Sequence, residues 1–192
     1  MPNWCYTRYV LEGTDPKDIE ALKAKLDELN QMPEPLLPNG FGNLWLGNIV
    51  HLLGGDWRKV YCRGRILEYE LSDGNLHLSV ESAWNEMYEV RELLLTKHPE
   101  LDIFYMSEEG GMGIFITNDE DGRYFPERYI LDTESDGPEY FEDLSDVAVY
   151  VSGMTGKDIE DSEESIRAAI DEWEKEVPDS RWAAFNVFDI VD

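Results

Sequence analysis

Apolar and polar positions divide the chain into short segments of two periods. Cys5 to Glu12 is rich in Thr, Tyr and Val, which favour a pleated strand, and Gly13 closes it. Thr14 or Asp15 then offers a helix N-cap and Pro16 suits the first turn. Ile19, Leu22, Leu26 and Leu29 recur at helical spacing, so an amphipathic helix is predicted to end before Pro33. Three prolines break structure over 33–40. A short helix is predicted within 41–53, with Leu44, Trp45, Ile49 and Leu52 on one side and Gly54-Gly55 behind it. Val60 to Leu71 and Leu76 to Ala83 read as strands joined by Ser72-Asp73-Gly74-Asn75, a hairpin signal because both central positions of that turn want positive φ.

A helix is predicted from about Asn85 to Lys97, with Met87, Val90, Leu93 and Leu94 apolar and Pro99 as its stop. Leu101 to Ser107, Met112 to Thr117 and Tyr124 to Leu131 then read as the three strands of a meander. The order strand, helix, strand, strand, helix, strand is the split βαβ pattern of a ferredoxin-like sandwich. We therefore expect an α+β fold with a core over residues 1–132, a helical insertion at about 41–53, and an extension over 133–192. In the extension, 133–145 reads as a connection, Val147 to Ser152 as a strand, Lys157 to Glu176 as a helix and Ala183 to Ile190 as a last strand.

Charge sharpens the division. Of 42 acidic residues, 26 lie between Leu101 and Asp192 against six basic ones, whereas the first hundred residues hold 16 acids and ten bases. A field of that sign repels nucleic acid and anionic membrane and attracts cationic partners. Direct nucleic-acid binding is therefore not expected, and a cationic protein is the partner that the charge favours. With 42% apolar residues and 12% aromatics the chain has material for a core, so the charge does not imply disorder. No apolar run is long enough to span a bilayer, and the first residues lack a basic segment followed by an apolar one, so a cytoplasmic protein is expected. Cys5 and Cys62 read as buried small hydrophobes.

Three tryptophan-centred blocks and one glycine-rich turn stand out. They are Asn3-Trp4-Cys5; Gly54-Gly55-Asp56-Trp57 with Tyr61-Cys62-Arg63-Gly64-Arg65; Ser82-Ala83-Trp84; and Glu108-Glu109-Gly110-Gly111-Met112-Gly113. Together they resemble the YubB-like, ferredoxin-like family of uncharacterised bacterial proteins carried on plasmids, phages and conjugative elements. The resemblance covers about residues 1–132 and implies a ferredoxin-like fold and a mobile-element setting. It brings no catalytic residues. Family members commonly follow the Ala-Trp with Ser and prolines, whereas Asn85-Glu86-Met87 comes next here.

Candidate chemistry is sparse. Arg58, Lys59, Arg63 and Arg65 place four of the sixteen basic residues within eight positions, with Trp57 and Tyr61 offering ring faces for stacking. These residues, with Trp84, define an anion- or ligand-binding cleft, unless the cations only neutralise carboxylates such as Glu68, Glu70 and Glu81. Glu108 and Glu109 before the glycines are a further candidate pair, yet adjacent strand residues face opposite sides and make poor acid–base partners. Thr117 to Gly122 imitates the start of a calcium loop, but with Thr117 first Arg128 falls at the twelfth position, where a bidentate Glu belongs, so a hairpin turn is expected and no metal.

The acidic stretch Asp158, Glu160, Asp161, Glu163, Glu164 suits a helix N-terminus. With the acids between Asp132 and Asp143 it also resembles the charge density of a DNA backbone. No Ser-His-Asp or Cys-His arrangement is legible, and neither a cofactor nor a catalytic residue is expected. The expectation is a non-catalytic accessory protein that binds a protein partner. The alternatives are a small-molecule or anion-binding domain, or a carboxylate enzyme, using Trp57, Arg63, Arg65 and Trp84, and an acidic DNA mimic.

Overall fold

The computed structural model describes residues 3–178 and 180–191; Met1, Pro2, Asp179 and Asp192 lie outside it. The chain forms two compact units, residues 1–118 and 119–191. The segment 119–132, expected in the core, groups with the second unit.

In the first unit β1 (Trp4–Gly13) leads to α1 (Pro16–Asn30), whose N-cap Asp15 accepts from the Lys17 N–H. Then come α2 (Leu46–Leu52), β2 (Gly64–Ser72), β3 (Asn75–Ala83), α3 (Tyr88–Lys97), β4 (Leu101–Glu109) and β5 (Ile114–Thr117). Within the unit the strands run β2-β3-β1-β4-β5, and each neighbouring pair is antiparallel. The α+β class is as expected, and the order β2-β3-β1-β4 is compatible with the split βαβ plan, β5 being added at one edge. The β2–β3 turn has Asp73 at φ 51° and Gly74 at φ 83°, the two positive values that its Asp-Gly pair implies.

The sheet's two faces follow from alternation. Cys5, Thr7, Tyr9 and Leu11 on β1 are all buried, on the side where Tyr9 and Leu11 meet Leu46, Val90 and Leu94 of the helices. The α1 positions Ile19, Leu22, Leu26 and Leu29 are buried as their spacing predicts. Two boundaries differ from expectation. In α2 the buried positions are Leu46, Gly47, Asn48 and Val50, and Leu52 is exposed, because Trp45 serves as the N-cap and the helix turns a different stripe inward. Strand β2 begins at Gly64 instead of Val60; a Cβ on Gly64 would lie 2.4 Å from the Glu81 carbonyl oxygen, so only glycine permits this close approach to β3.

The second unit corrects three expectations. Its sheet, β7 (Gly137–Phe141), β6 (Tyr129–Thr133) and β8 (Ala183–Val187), is antiparallel in the order β7-β6-β8. So β6 does not complete a meander with β4 and β5. The segment read as a connection contains β7, a hairpin partner of β6 whose turn uses Gly137 at φ 75°. The segment read as a strand around Val147 is the helix α4 (Leu144–Thr155). Its β-branched run favours extension, but Val147, Ala148 and Val151 are buried at helical spacing and Gly156 ends the helix at φ 72°. Helix α5 (Glu163–Glu176), capped by Ser162, packs on α4 and β8 through Ile166, Ala169 and Ile170. A two-residue strand β9 (Asp189–Ile190) follows β8. No helix among the described residues is long and apolar enough to cross a membrane.

Candidate functional site

Four segments that carry the tryptophan and glycine motifs end at one end of the first unit's sheet. Trp4 stands opposite Ala83 and Tyr6 opposite Glu108, while Gly64 stands opposite Ser82. The Trp84 N–H donates to the Asn3 carbonyl at 2.9 Å, and the Ala83 N–H donates to the Arg63 carbonyl at 2.9 Å. Register alone thus gathers residues that the sequence scatters over more than a hundred positions.

Beside this end lies an open cleft of about 600 Å³, walled by Phe41, Trp45, Trp57, Lys59, Tyr61 and Arg63, with Arg58, Val60, Cys62 and Glu89. Three asparagines fix the loop that brings Phe41. Asn39 accepts from the Phe41 and Gly42 N–H groups, Asn43 donates to the Asn30 and Met32 carbonyls, and buried Asn48 joins Leu37 to Asn43. Trp45 lies flat on Gly47, where an added Cβ would meet the ring at 2.3 Å. Trp57 meets Trp45 edge to face at 5.4 Å. The Tyr61 N–H donates to Glu89 Oε2 at 2.6 Å, which ties the wall to α3. Trp57 and Tyr61 stay 36% and 46% exposed, so ring surface remains open on a fixed backbone.

The cations divide. Arg58 is held by Asp56 at 2.9 Å, and this contact keeps the Asp56 carboxyl below its usual range. Arg65 pairs with Glu81 at 3.3 Å, outside the cleft lining. Lys59 and Arg63 have no ion pair among the described residues, in a chain of net charge −26. The neutralising role foreseen for the whole cluster therefore holds for two of its members only. The Trp45 Nε1–H is also buried without an acceptor among the described residues. A buried donor left unmade costs about 1–3 kcal/mol.

The remaining candidates fall elsewhere. Trp84 is not among the residues that line the cleft; it is 41% exposed, at φ 74°. Glu108 lines a separate groove of about 310 Å³ with Tyr6, Arg8, Leu67 and Met106. Glu109 is buried and accepts from the Gly111 and Met112 N–H groups, so it closes the glycine turn. As alternation requires, the two carboxylates do not converge. Residues 58, 59, 61 and 63 with Trp57 are brought together; Arg65, Trp84, Glu108 and Glu109 are not. Sequence reasoning missed Phe41, Trp45 and Glu89. Trp45 was read as a helix-face residue, and nothing local marks Phe41 or Glu89.

Neither cysteine offers a nucleophile. Both are free and buried. Burial pushes the Cys62 thiol up to about 11, aided by the Glu89 carboxylate, and burial also raises Cys5. The imitation calcium loop carries its own cation. Buried Asp119 accepts from the Arg123, Tyr124 and Phe125 N–H groups, and the Arg128 guanidinium donates to the carbonyls of Asp119, Glu120 and Phe125. No group of three or more His, Cys, Asp or Glu side chains among the described residues is placed to hold a metal ion. Comparison with protein-family models, with curated proteins and with solved structures gave no match.

Proposed function

We propose that this chain is a non-catalytic binding protein, an accessory protein of a bacterial mobile element, and that its first unit receives a compact anionic group in the aromatic and cationic cleft. The observation that carries the reading is the pair Lys59 and Arg63, which close no ion pair among the described residues, Lys59 feeling Asp56 only at longer range, although acids outnumber bases 42 to 16. With so many carboxylates present, cations left unpaired beside exposed rings favour an anion brought from outside. Guanidinium and ammonium groups bind phosphate and carboxylate through charge-assisted hydrogen bonds. The open rings of Trp57 and Tyr61 add contact area to whatever bears the anion.

Calorimetric titration of the full chain with inorganic pyrophosphate, at low and at physiological salt, tests this. Saturable binding that weakens with salt and falls at least tenfold in Lys59→Ala/Arg63→Ala, with an unchanged Tm, supports the reading. Absence of binding, or binding that the double substitution leaves intact, refutes it.

A further inference from the structure

The cleft holds more than an anion needs. Resting on the reading above, we infer that its ligand is a nucleoside monophosphate, a free nucleotide whose base stacks on Trp57 or Tyr61 while its phosphate meets Lys59 and Arg63. The cleft is shallow and open, and its accessible space of about 600 Å³ is more than a bare phosphate fills. Exposed rings two positions from an unpaired cation, Trp57 beside Lys59 and Tyr61 between Lys59 and Arg63, match a ligand that joins a flat ring to a charge. The Trp57 ring is held by its edge contact with Trp45, and Glu89 fixes the backbone that carries Tyr61.

The wall also carries polar groups suited to a base or a sugar. Glu89 engages Tyr61 through Oε2, and its Oε1 accepts no hydrogen bond among the described residues, which leaves an acceptor for an exocyclic amine or a ribose hydroxyl. Charge restricts the size of the ligand. A net charge of −26 opposes a polyanionic strand, whereas one phosphate within a Debye length of about 8 Å responds to the charges of the cleft itself, where Arg58, Lys59 and Arg63 outnumber Glu89 and the neighbouring Asp56. Stacking distinguishes this ligand from a sugar phosphate, and size distinguishes it from an oligonucleotide.

Calorimetry on the full chain with adenosine and guanosine 5′-monophosphates, ribose 5-phosphate, pyrophosphate and a ten-base DNA strand separates the cases. At least one nucleotide is expected to bind roughly tenfold or more tightly than ribose 5-phosphate, the scale of one stacked base. Tyr61→Ala and Trp57→Ala are expected to close that gap by weakening nucleotide binding far more than ribose 5-phosphate or pyrophosphate binding, and Arg63→Ala to weaken all phosphates. Because Trp57 also supports Trp45, the ligand comparison on the unaltered chain and the Tyr61 variant decide if Trp57→Ala unfolds. Equal, Arg63-dependent binding of nucleotide and ribose 5-phosphate overturns the nucleotide inference and leaves the anion cleft standing. Tighter binding of the DNA strand than of either mononucleotide overturns it as well. No binding of any phosphate overturns both.

Discussion

Arg91 donates from Nε to Oε1 of Glu86 at 3.1 Å, with the two side chains only 10% and 4% exposed. The Tyr9 hydroxyl donates to the same oxygen at 2.8 Å, and the guanidinium lies 4.9 Å from the centre of the Tyr105 ring. This buried pair pins the turn between β3 and α3 onto the sheet. Removing one member strands the other charge in the interior, which costs about 3–5 kcal/mol. Arg91→Ala is therefore expected to lower the unfolding free energy by that amount in urea denaturation. Glu86→Gln keeps an acceptor for both donors and leaves Arg91 its second carboxylate, Glu92 at 3.5 Å, so it is expected to cost less.

The same carboxyl sets a pH dependence. Burial holds Glu86 above its ordinary value of 4.5, against the opposing pull of Arg91 and Tyr9. The folded state then binds a proton more readily than the unfolded one, so its contribution to stability is fully present below about 4.5 and is lost as pH rises through the folded value. Glu86→Gln removes this titration. Its stability relative to the unaltered chain is expected to improve from about pH 4.5 until the folded carboxyl has ionised and to level off above that, read as the difference in urea midpoint; a difference constant over the whole range refutes the assignment.

Why some elements were legible and others were not follows from what fixes each. The α1 stripe and the Asp73-Gly74 turn carry their geometry in adjacent residues, so spacing suffices. The helix α4 does not, because Val147, Val149 and Val151 favour a strand locally, and only the partner α5 and the sheet beneath make the helical face worth burying. The cleft was half legible: Trp57 to Arg63 is one contiguous segment, but Phe41 arrives through an asparagine-tied loop and Glu89 through α3. Which cations were free was not legible, since Arg65 meets Glu81 only through the β2–β3 register.

In the second unit, Arg128 stands where a loop of this composition would otherwise need a cation. Its guanidinium satisfies carbonyls of residues 119, 120 and 125 at 2.7–3.0 Å. Hydrogen bonds to a charged group are worth about 1.5–3 kcal/mol each, with partial compensation by water at this depth. Arg128→Ala is expected to destabilise the chain by about 2–4 kcal/mol in thermal unfolding. Added calcium is expected to leave the Tm of the variant unchanged, because no group of carboxylates among the described residues is placed to replace the arginine.

Cys62 bears on the cleft because it is part of the wall. Its Sγ donates to the Trp57 carbonyl at 3.5 Å, and burial holds its pKa at about 11. At pH 7.5 the thiolate fraction is then negligible, and the reactive species is the thiolate. Iodoacetamide is expected to leave both cysteines unmodified in the native chain and to label both in urea, as read by intact mass. Labelling of Cys62 under native conditions shows that the wall opens.

Trp84 is a bulky residue held at φ 74°, a region that costs roughly 1–2 kcal/mol for a residue with a Cβ. The turn imposes it: the Trp84 N–H is committed to the Asn3 carbonyl, and the Ser82 hydroxyl donates to the Asn85 carbonyl at 2.7 Å, so the backbone on both sides is fixed. With the ring 41% exposed, packing returns only part of that cost. A comparison of Trp84→Ala with Trp84→Gly separates the two contributions, since both remove the ring and only glycine removes the strain. At an ordinary position glycine is the less stable of the two, through its greater freedom in the unfolded chain. Here the order is expected to invert, with Trp84→Gly more stable than Trp84→Ala by about 1 kcal/mol in urea denaturation. If alanine proves equal or better, the turn relaxes when the ring is removed, and the positive φ belongs to the tryptophan instead of to the hydrogen bonds around it.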